Sequence, residues 1–409
     1  MRKALLKCVF FKHGLLLALL SGFCWNSIAA TPTYSLDTQK HTITIHNTGD
    51  ATTEINSALS YLVNRKDTNI PWNMKFDGGK YSISNILFSE RLQNVNFISD
   101  PKKPAILAKI DNFPTEYLFY TRYSKNISLT GFTFIGNTAT YMPQNYVTGT
   151  SIGWKDQGVY FGSSNGVIIS NNRFYNIGDA AIRITTTERD PVRGVDSFNT
   201  KIIGNYFNNI FQVTTTSNDL VHGGSASLLV QDNIFDHIWG SIKFASRTDG
   251  ATNVVFHHNA INNSATDGLE IVGYNNIEIS NNTLQNIARN AANCYTNNVS
   301  ASGFEWGDNL SFKNNIINNT GGGIRISADT YIDGFQPQPK NVTISGNSIT
   351  NLKGTAPALT LLKSSFPGLT VTANQFSNIP SKIYFYMPIK NAQALLTGNK
   401  LNNTPLTFN

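Results

Sequence analysis

"NGVIISNNRFYNIGDAAIRIT", residues 165–185, holds a short alternating strand, a pair of asparagines, a second apolar strand and, after a small turn, the triplet Ile182-Arg183-Ile184. Each of these parts returns along the chain. The pattern Asn-x-(Phe/Ile/Leu)-x-Asn begins at Asn172 and comes back at 205, 259, 282, 315, 347, 374 and 399, and "NIFDH" at 233 carries His237 in its last place. Successive starts lie 33, 28, 26, 23, 33, 32, 27 and 25 residues apart, which describes one structural turn carrying inserts of varied length. Strands such as "NVVFH", "NIEIS", "NLSFK" and "NVTIS" precede the motifs. Further triplets are Val159-Tyr160-Phe161, Ile242-Lys243-Phe244, Leu269-Glu270-Ile271 and Ile324-Arg325-Ile326.

A strand-turn-strand unit of this size cannot bury its own apolar side, so its copies must stack. The expected fold is all-β, a right-handed parallel β-helix (solenoid) with an N-terminal capping helix, its coils about 4.8 Å apart. Asparagine amides both donate and accept, so Asn172, Asn205, Asn233, Asn259, Asn282, Asn315, Asn347 and Asn374 are expected to form a ladder from coil to coil. His237, His257 and His258 fall in or beside the same turns and are read as structural. A solenoid end exposes apolar core and unpaired edges. "DATTEINSALSYLV", with a capping Asp or Thr and Ile55, Leu59 and Leu62 at helical spacing, supplies the cover within a cap of about residues 31–75. "YFYMPIK" is a candidate for closure at the other end.

The first thirty residues place Arg2, Lys3, Lys7 and Lys12 before and within an apolar run and end in small residues at Ala29 and Ala30. That order predicts a secretory signal peptide over 1–30, a single β-helix domain over 31–409, and a periplasmic or secreted product with no membrane span. The formal charge of +7 then falls to about +3, which speaks against a nucleic-acid partner. Of three cysteines, Cys8 and Cys24 lie in the leader, leaving Cys294 alone as a buried thiol with no disulfide partner. A monomer is expected.

The cap helix, "FDGGKYSIS" at 76–84 and the Asn-Val-x-Ile coils resemble the pectate-lyase-like superfamily of right-handed β-helix proteins, over nearly all of the chain after the leader. The resemblance implies a protein that cleaves, epimerises or binds polysaccharide.

Alternation sends the outer residues of each triplet inward and the middle one outward. Stacking therefore lines up Tyr160, Arg183, Lys243, Glu270 and Arg325, with Thr360 and Tyr384 beyond them. Of the largest inserts, 137–158, 185–199, 213–227, 288–308 and 328–340, the last four follow a triplet or a corresponding place and are expected to wall this groove. Cations and tyrosines at intervals suit an extended anionic chain. Removing a proton beside a uronate carboxylate needs a base, a cation on that carboxylate and a proton donor. Lys243, its amine freed by neighbouring cations, or His222 is the candidate base; Arg183, Arg325 or Arg247 neutralises; Tyr160 or Tyr295 donates. Asp267 and Glu270 complete the candidate substrate contacts.

"SIKFAS" at 241–246 resembles the lysine-bearing strand of the alginate-lyase and chondroitin-B-lyase type, which implies Lys243 as base. The arginine that follows there on the next coil is replaced here by Glu270. "TDGLEI" at 266 and "GIRIS" at 323 resemble strands of pectin-type hydrolases, without their paired aspartates. The Asp-Pro-His-Asp signature of alginate epimerases is absent. Lyase or C5-epimerase action on a uronate polysaccharide leads, with a glycoside hydrolase and a non-catalytic polysaccharide-binding or exopolysaccharide-assembly factor as alternatives. No cofactor is demanded; Ca²⁺ is admitted if Asp219, Asp249, Asp267 and Glu270 converge.

Overall fold

In the computed structural model the described residues are 34–138, 155–185, 197–216, 226–245, 251–295, 307–327, 339–362, 366–380, 385–386 and 395–406. The proposed leader lies outside them. Thr33–Asn409 forms one compact unit, and among the described residues no helix is long and apolar enough to cross a membrane.

The chain winds as a right-handed parallel β-helix with three faces. The first carries the alternating strands, among them Lys125–Thr130, Asn165–Ser170, Ala251–His257 and Tyr274–Ser280, each paired in parallel with the equivalent strand of the next coil. The second carries the segment after the asparagine, and the third the triplets. These two merge into one sheet because Arg173–Thr185, Thr283–Tyr295 and Ile316–Ser327 run on around the corner between them. Register shifts mark that corner at Ile177/Ala180 and Ile287/Asn290.

Among the described residues the interior is mainly apolar. Val159, Phe161, Ile182, Ile184, Ile242, Phe244, Leu269, Ile271, Ile324 and Ile326, the outer members of the triplets, are all buried. Behind the second face Phe134, Phe174, Phe207 and Phe235 stack with ring centroids 4.9, 4.9 and 4.7 Å apart, the coil spacing itself.

The asparagine ladder forms as expected. The backbone N–H of Asn259 donates to Asn282 Oδ1 at 2.8 Å, and its own amide donates to Val230 O and His257 O at 2.9 Å. The same pattern links every rung from Asn172 to Asn399. The residue before each rung sits in the left-handed region: Asn171, Gly204, Asp232, His258, Asn281, Asn314, Gly346, Ala373 and Gly398. Asn, Asp, His and Gly tolerate that backbone; Ala373, at φ 55°, does not. Ala373→Gly is therefore expected to stabilise the protein by about 1 kcal/mol, read as a higher urea midpoint.

The helix α1, Thr52–Asn64, covers the amino-terminal end with Ile55, Leu59 and Leu62 buried. Its cap differs from expectation. Ala51 holds the cap position, and Asp50, one residue outside, accepts from the Thr52 N–H at 3.0 Å. Thr52 does not cap because its hydroxyl accepts from the Ser84 N–H. Strand Tyr34–Asp37 pairs antiparallel with Thr42–Ile45, sealing that edge. At the other end Lys400–Leu401 turns back antiparallel on Thr404–Pro405. Of "YFYMPIK", only Phe385–Tyr386 is described, as a strand of the third face.

Candidate functional site

On the third face the middle residues of the triplets stack in one row. Tyr160 pairs with Arg183, Arg183 with Thr214, Thr214 with Lys243, Lys243 with Glu270, Glu270 with Asn293, Asn293 with Arg325 and Arg325 with Thr360. Thr214 and Asn293 fill the two coils whose register the sequence left open. Thr360 pairs next with Tyr386; Tyr384, assigned that place from the sequence, lies outside the described residues.

The row is not uniformly open. Lys243, Glu270 and Arg325 are half-buried, but Tyr160 is 7% and Arg183 4% exposed. This corrects the expectation that both face a groove. Tyr160 stacks on Tyr120 at 4.4 Å and meets Tyr117 edge-on at 5.0 Å. Arg183 donates to Gln157 Oε1 at 2.8 Å and lies 3.4 Å from Asp179 Oδ2. Outward alternation was read correctly; the polar and aromatic neighbours that cover these two side chains were not. Burial pushes the Asp179 carboxyl up from its ordinary range, against the pull of Arg183. Arg183 thus belongs to the scaffold and not to the substrate contacts. His222 and Arg247 lie outside the described residues.

Further along the row a cleft of about 500 Å³ opens, lined among others by Ser241, Lys243, Asp267, Glu270, Arg289 and Arg325. Glu270 is its hub. Its Oε1 accepts from Lys243 Nζ at 2.8 Å and from the Tyr295 hydroxyl, and its Oε2 accepts from Ser241 Oγ at 2.9 Å. Burial works against the charged carboxylate, but Lys243, Tyr295 and Ser241 outweigh it and hold Glu270 below its ordinary value of 4.5. Lys243 thus has Glu270 as its direct partner, with Arg289 and Arg325 lining the same cleft.

Asp267 is tied down separately. Its Oδ1 accepts from the Asn290 N–H and amide at 2.9 and 3.0 Å, and its Oδ2 from the Asn293 amide at 3.1 Å. Asn293 in turn accepts from Arg325 at 2.9 Å, so Asp267 aims Arg325 through Asn293. Asp267 is therefore a positioning group, one step from the place expected for it. Arg289, exposed in the same cleft, has no side-chain hydrogen bond or ion pair among the described residues. The sequence reading missed it, because it lies in "ARNAANCYTN" beside the register shift at Ile287/Asn290.

Cys294, next to Asn293, points inward and is buried, which pushes its thiol up. Among the described residues no three His, Cys, Asp or Glu side chains gather as metal ligands. Asp267 and Glu270 are engaged by other partners, and Asp219 and Asp249 lie outside the described residues. The inserts at 185–199, 213–227, 288–308 and 328–340 leave the described chain at Thr185, Thr216, Tyr295 and Ser327, all at the same edge of the third face. The insert at 137–158 instead lies ahead of the triplet strand Gln157–Gly162, at the opposite edge.

The sequence matches the family of the right-handed beta helix region over residues 220–404. No curated protein sequence matches it. In backbone the chain is similar to the surface adhesin PfbA of Streptococcus pneumoniae, with TM-score 0.64 and 17% identity over 81% of this chain and 82% of that one. It is also similar to a hyperthermoactive exopolygalacturonase from Thermotoga maritima, with TM-score 0.54 and 13% identity over 88% and 90%. The A-module of the mannuronan C-5 epimerase AlgE6 of Azotobacter vinelandii gives TM-score 0.50 and 11% identity over 86% and 95%. With its wound parallel strands, its asparagine ladder and these matches taken together, the chain has the right-handed parallel β-helix fold.

Proposed function

We propose that the protein acts on an acidic polysaccharide by taking a proton beside a uronate carboxylate, as a lyase or a C5-epimerase. The observation that carries this reading is the placing of Arg289 and Arg325 in one cleft with the chain Lys243–Glu270–Tyr295. The arginines bind and neutralise the uronate carboxylate, which makes the neighbouring C5 proton acidic. Lys243, as the free amine, takes that proton. Tyr295 gives a proton to the departing glycosidic oxygen as the C4–O bond breaks and the C4–C5 double bond forms, or to the opposite ring face at C5 in epimerisation. Glu270 touches both groups, so a proton gained on one side is balanced through it by one given on the other.

Inverting or retaining hydrolysis is less well served. It requires a carboxylic acid protonated at working pH, whereas Glu270 is held ionised by Lys243. A second reading, binding without catalysis, is favoured by the closed Lys243–Glu270 pair, in which the ammonium already has its counterion. The exopolygalacturonase and the epimerase share the fold; the reaction is inferred from the cleft.

Incubation with alginate, pectate and glycosaminoglycans tests this. An ultraviolet-absorbing unsaturated product marks the lyase, and exchange of solvent deuterium into C5 without cleavage marks the epimerase. Either is expected to fall sharply in Arg289→Ala. Binding to one of these polymers with neither product nor exchange leaves the binder; export is expected to place the protein in the periplasm or outside the cell.

A further inference from the structure

A second cavity, of about 590 Å³, opens beside the third face and is lined by Phe113, Pro114, Thr115, Glu116, Tyr117 and Lys155. Its size falls in the usual range for ligand pockets, about 300–1,000 Å³. Its character differs from that of the charged cleft. Tyr117 contributes an aromatic wall whose orientation is fixed, because its ring meets Tyr120 and Tyr160 edge-on at 5.2 and 5.0 Å. Those two rings continue a stack that ends at Phe88, 5.6 Å from Tyr120 and 45% exposed. The two charged groups of the lining, Glu116 and Lys155, are of opposite sign, whereas the other cleft sets Lys243, Arg289 and Arg325 against Asp267 and Glu270.

We propose that this cavity is a second carbohydrate subsite, which stacks an uncharged pyranose unit on Tyr117 and hydrogen-bonds its hydroxyls through Glu116 and Lys155. An aromatic face suits the C–H side of a pyranose ring, a carboxylate accepts from hydroxyls and an ammonium donates to them. A uronate is disfavoured because Glu116 offsets the attraction of Lys155. The inference rests on the reading of the charged cleft only in holding that one polysaccharide chain reaches both.

The spacing and the material between the sites fit such a chain. From the coil of Tyr117 to that of Lys243 are four parallel pairings, or about 19 Å of axial rise. The interval is filled by a buried polar chain. Gln212, in the wall of the charged cleft, donates to Asp179 at 2.8 Å; Asp179 meets Arg183, Arg183 donates to Gln157, and Gln157 is the register partner of Tyr117. These bonds fix the two sites at a set distance. The polymer inferred is thus a heteropolysaccharide in which neutral sugars accompany uronates.

Titration with neutral gluco-, galacto- and mannopyranosyl hexasaccharides, followed by calorimetry, tests the inference. At least one is expected to bind, to bind about tenfold more weakly to Tyr117→Ala, and to bind Tyr117→Phe as it binds the wild type. Glu116→Ala, a surface change that spares the aromatic cluster, is expected to weaken binding even if Tyr117→Ala fails to fold. Failure of all three sugars to bind, or unchanged affinity in Glu116→Ala, overturns it. Failure of the charged-cleft reading is seen separately, as neutral sugars that bind to a protein inert toward every uronate polymer.

Discussion

Lys243→Met is expected to lower turnover on the uronate polymer by a factor of about 10²–10⁴, the usual contribution of a positioned acid or base. Substrate affinity should change little, because Arg289 and Arg325 remain to hold the carboxylate. The fold should survive. Lys243 and Glu270 are each about a quarter exposed, with side-chain values of 28% and 22%, and a pair so placed contributes about 0–1 kcal/mol. Glu270 also keeps Tyr295 and Ser241 as donors. Steady-state kinetics beside a urea unfolding curve makes the comparison. A variant with full turnover would assign the proton to another group, and one that loses affinity in proportion to rate would speak for simple binding.

Asp156→Ala is expected to cost about 3–5 kcal/mol, the effect of leaving a buried charge without its partner. Lys109 Nζ lies 3.0 Å from Asp156 Oδ1, and their side chains are 1% and 0% exposed. Burial already pushes the Lys109 ammonium down, with Asp156 opposing that shift. Asp156 Oδ2 also accepts from the Asn137 N–H, the Thr138 hydroxyl and the Gly178 N–H. Lys109→Met combined with Asp156→Ala should therefore be more stable than Asp156→Ala alone, yet below wild type, since three donors stay unsatisfied at about 1–3 kcal/mol each. Urea denaturation of the three proteins gives the order. Equal midpoints for Asp156→Ala and wild type would show that the ion pair is not sealed from water.

These two sites also mark how far the sequence carries. The solenoid and its rungs were legible because a stacked fold imposes the same demand at every turn. Asn259 and Asn282 do one job, and repetition turns that job into a pattern. The triplet row was legible for the same reason, down to the adjacency of Lys243 and Glu270. Lys109 and Asp156 are 47 residues apart and meet once, so no recurrence announces them. Arg289 stayed hidden because a register shift precedes Asn290, and period-two counting fails across such an irregularity. Tyr160 and Arg183 show a different limit. Alternation tells which way a side chain leaves the sheet, but not what lies over it.

The rungs at Asn205 and Asn233 delimit one complete winding between the two clefts. Since each winding presents the same edges above and below, whole windings can be copied or dropped in descent without redesigning the joints. The gap separating an aromatic grip from a charged one then changes in increments of about 4.8 Å. If one polymer lies in both clefts, the molecule would act as a ruler whose graduations are set by its own thickness per turn.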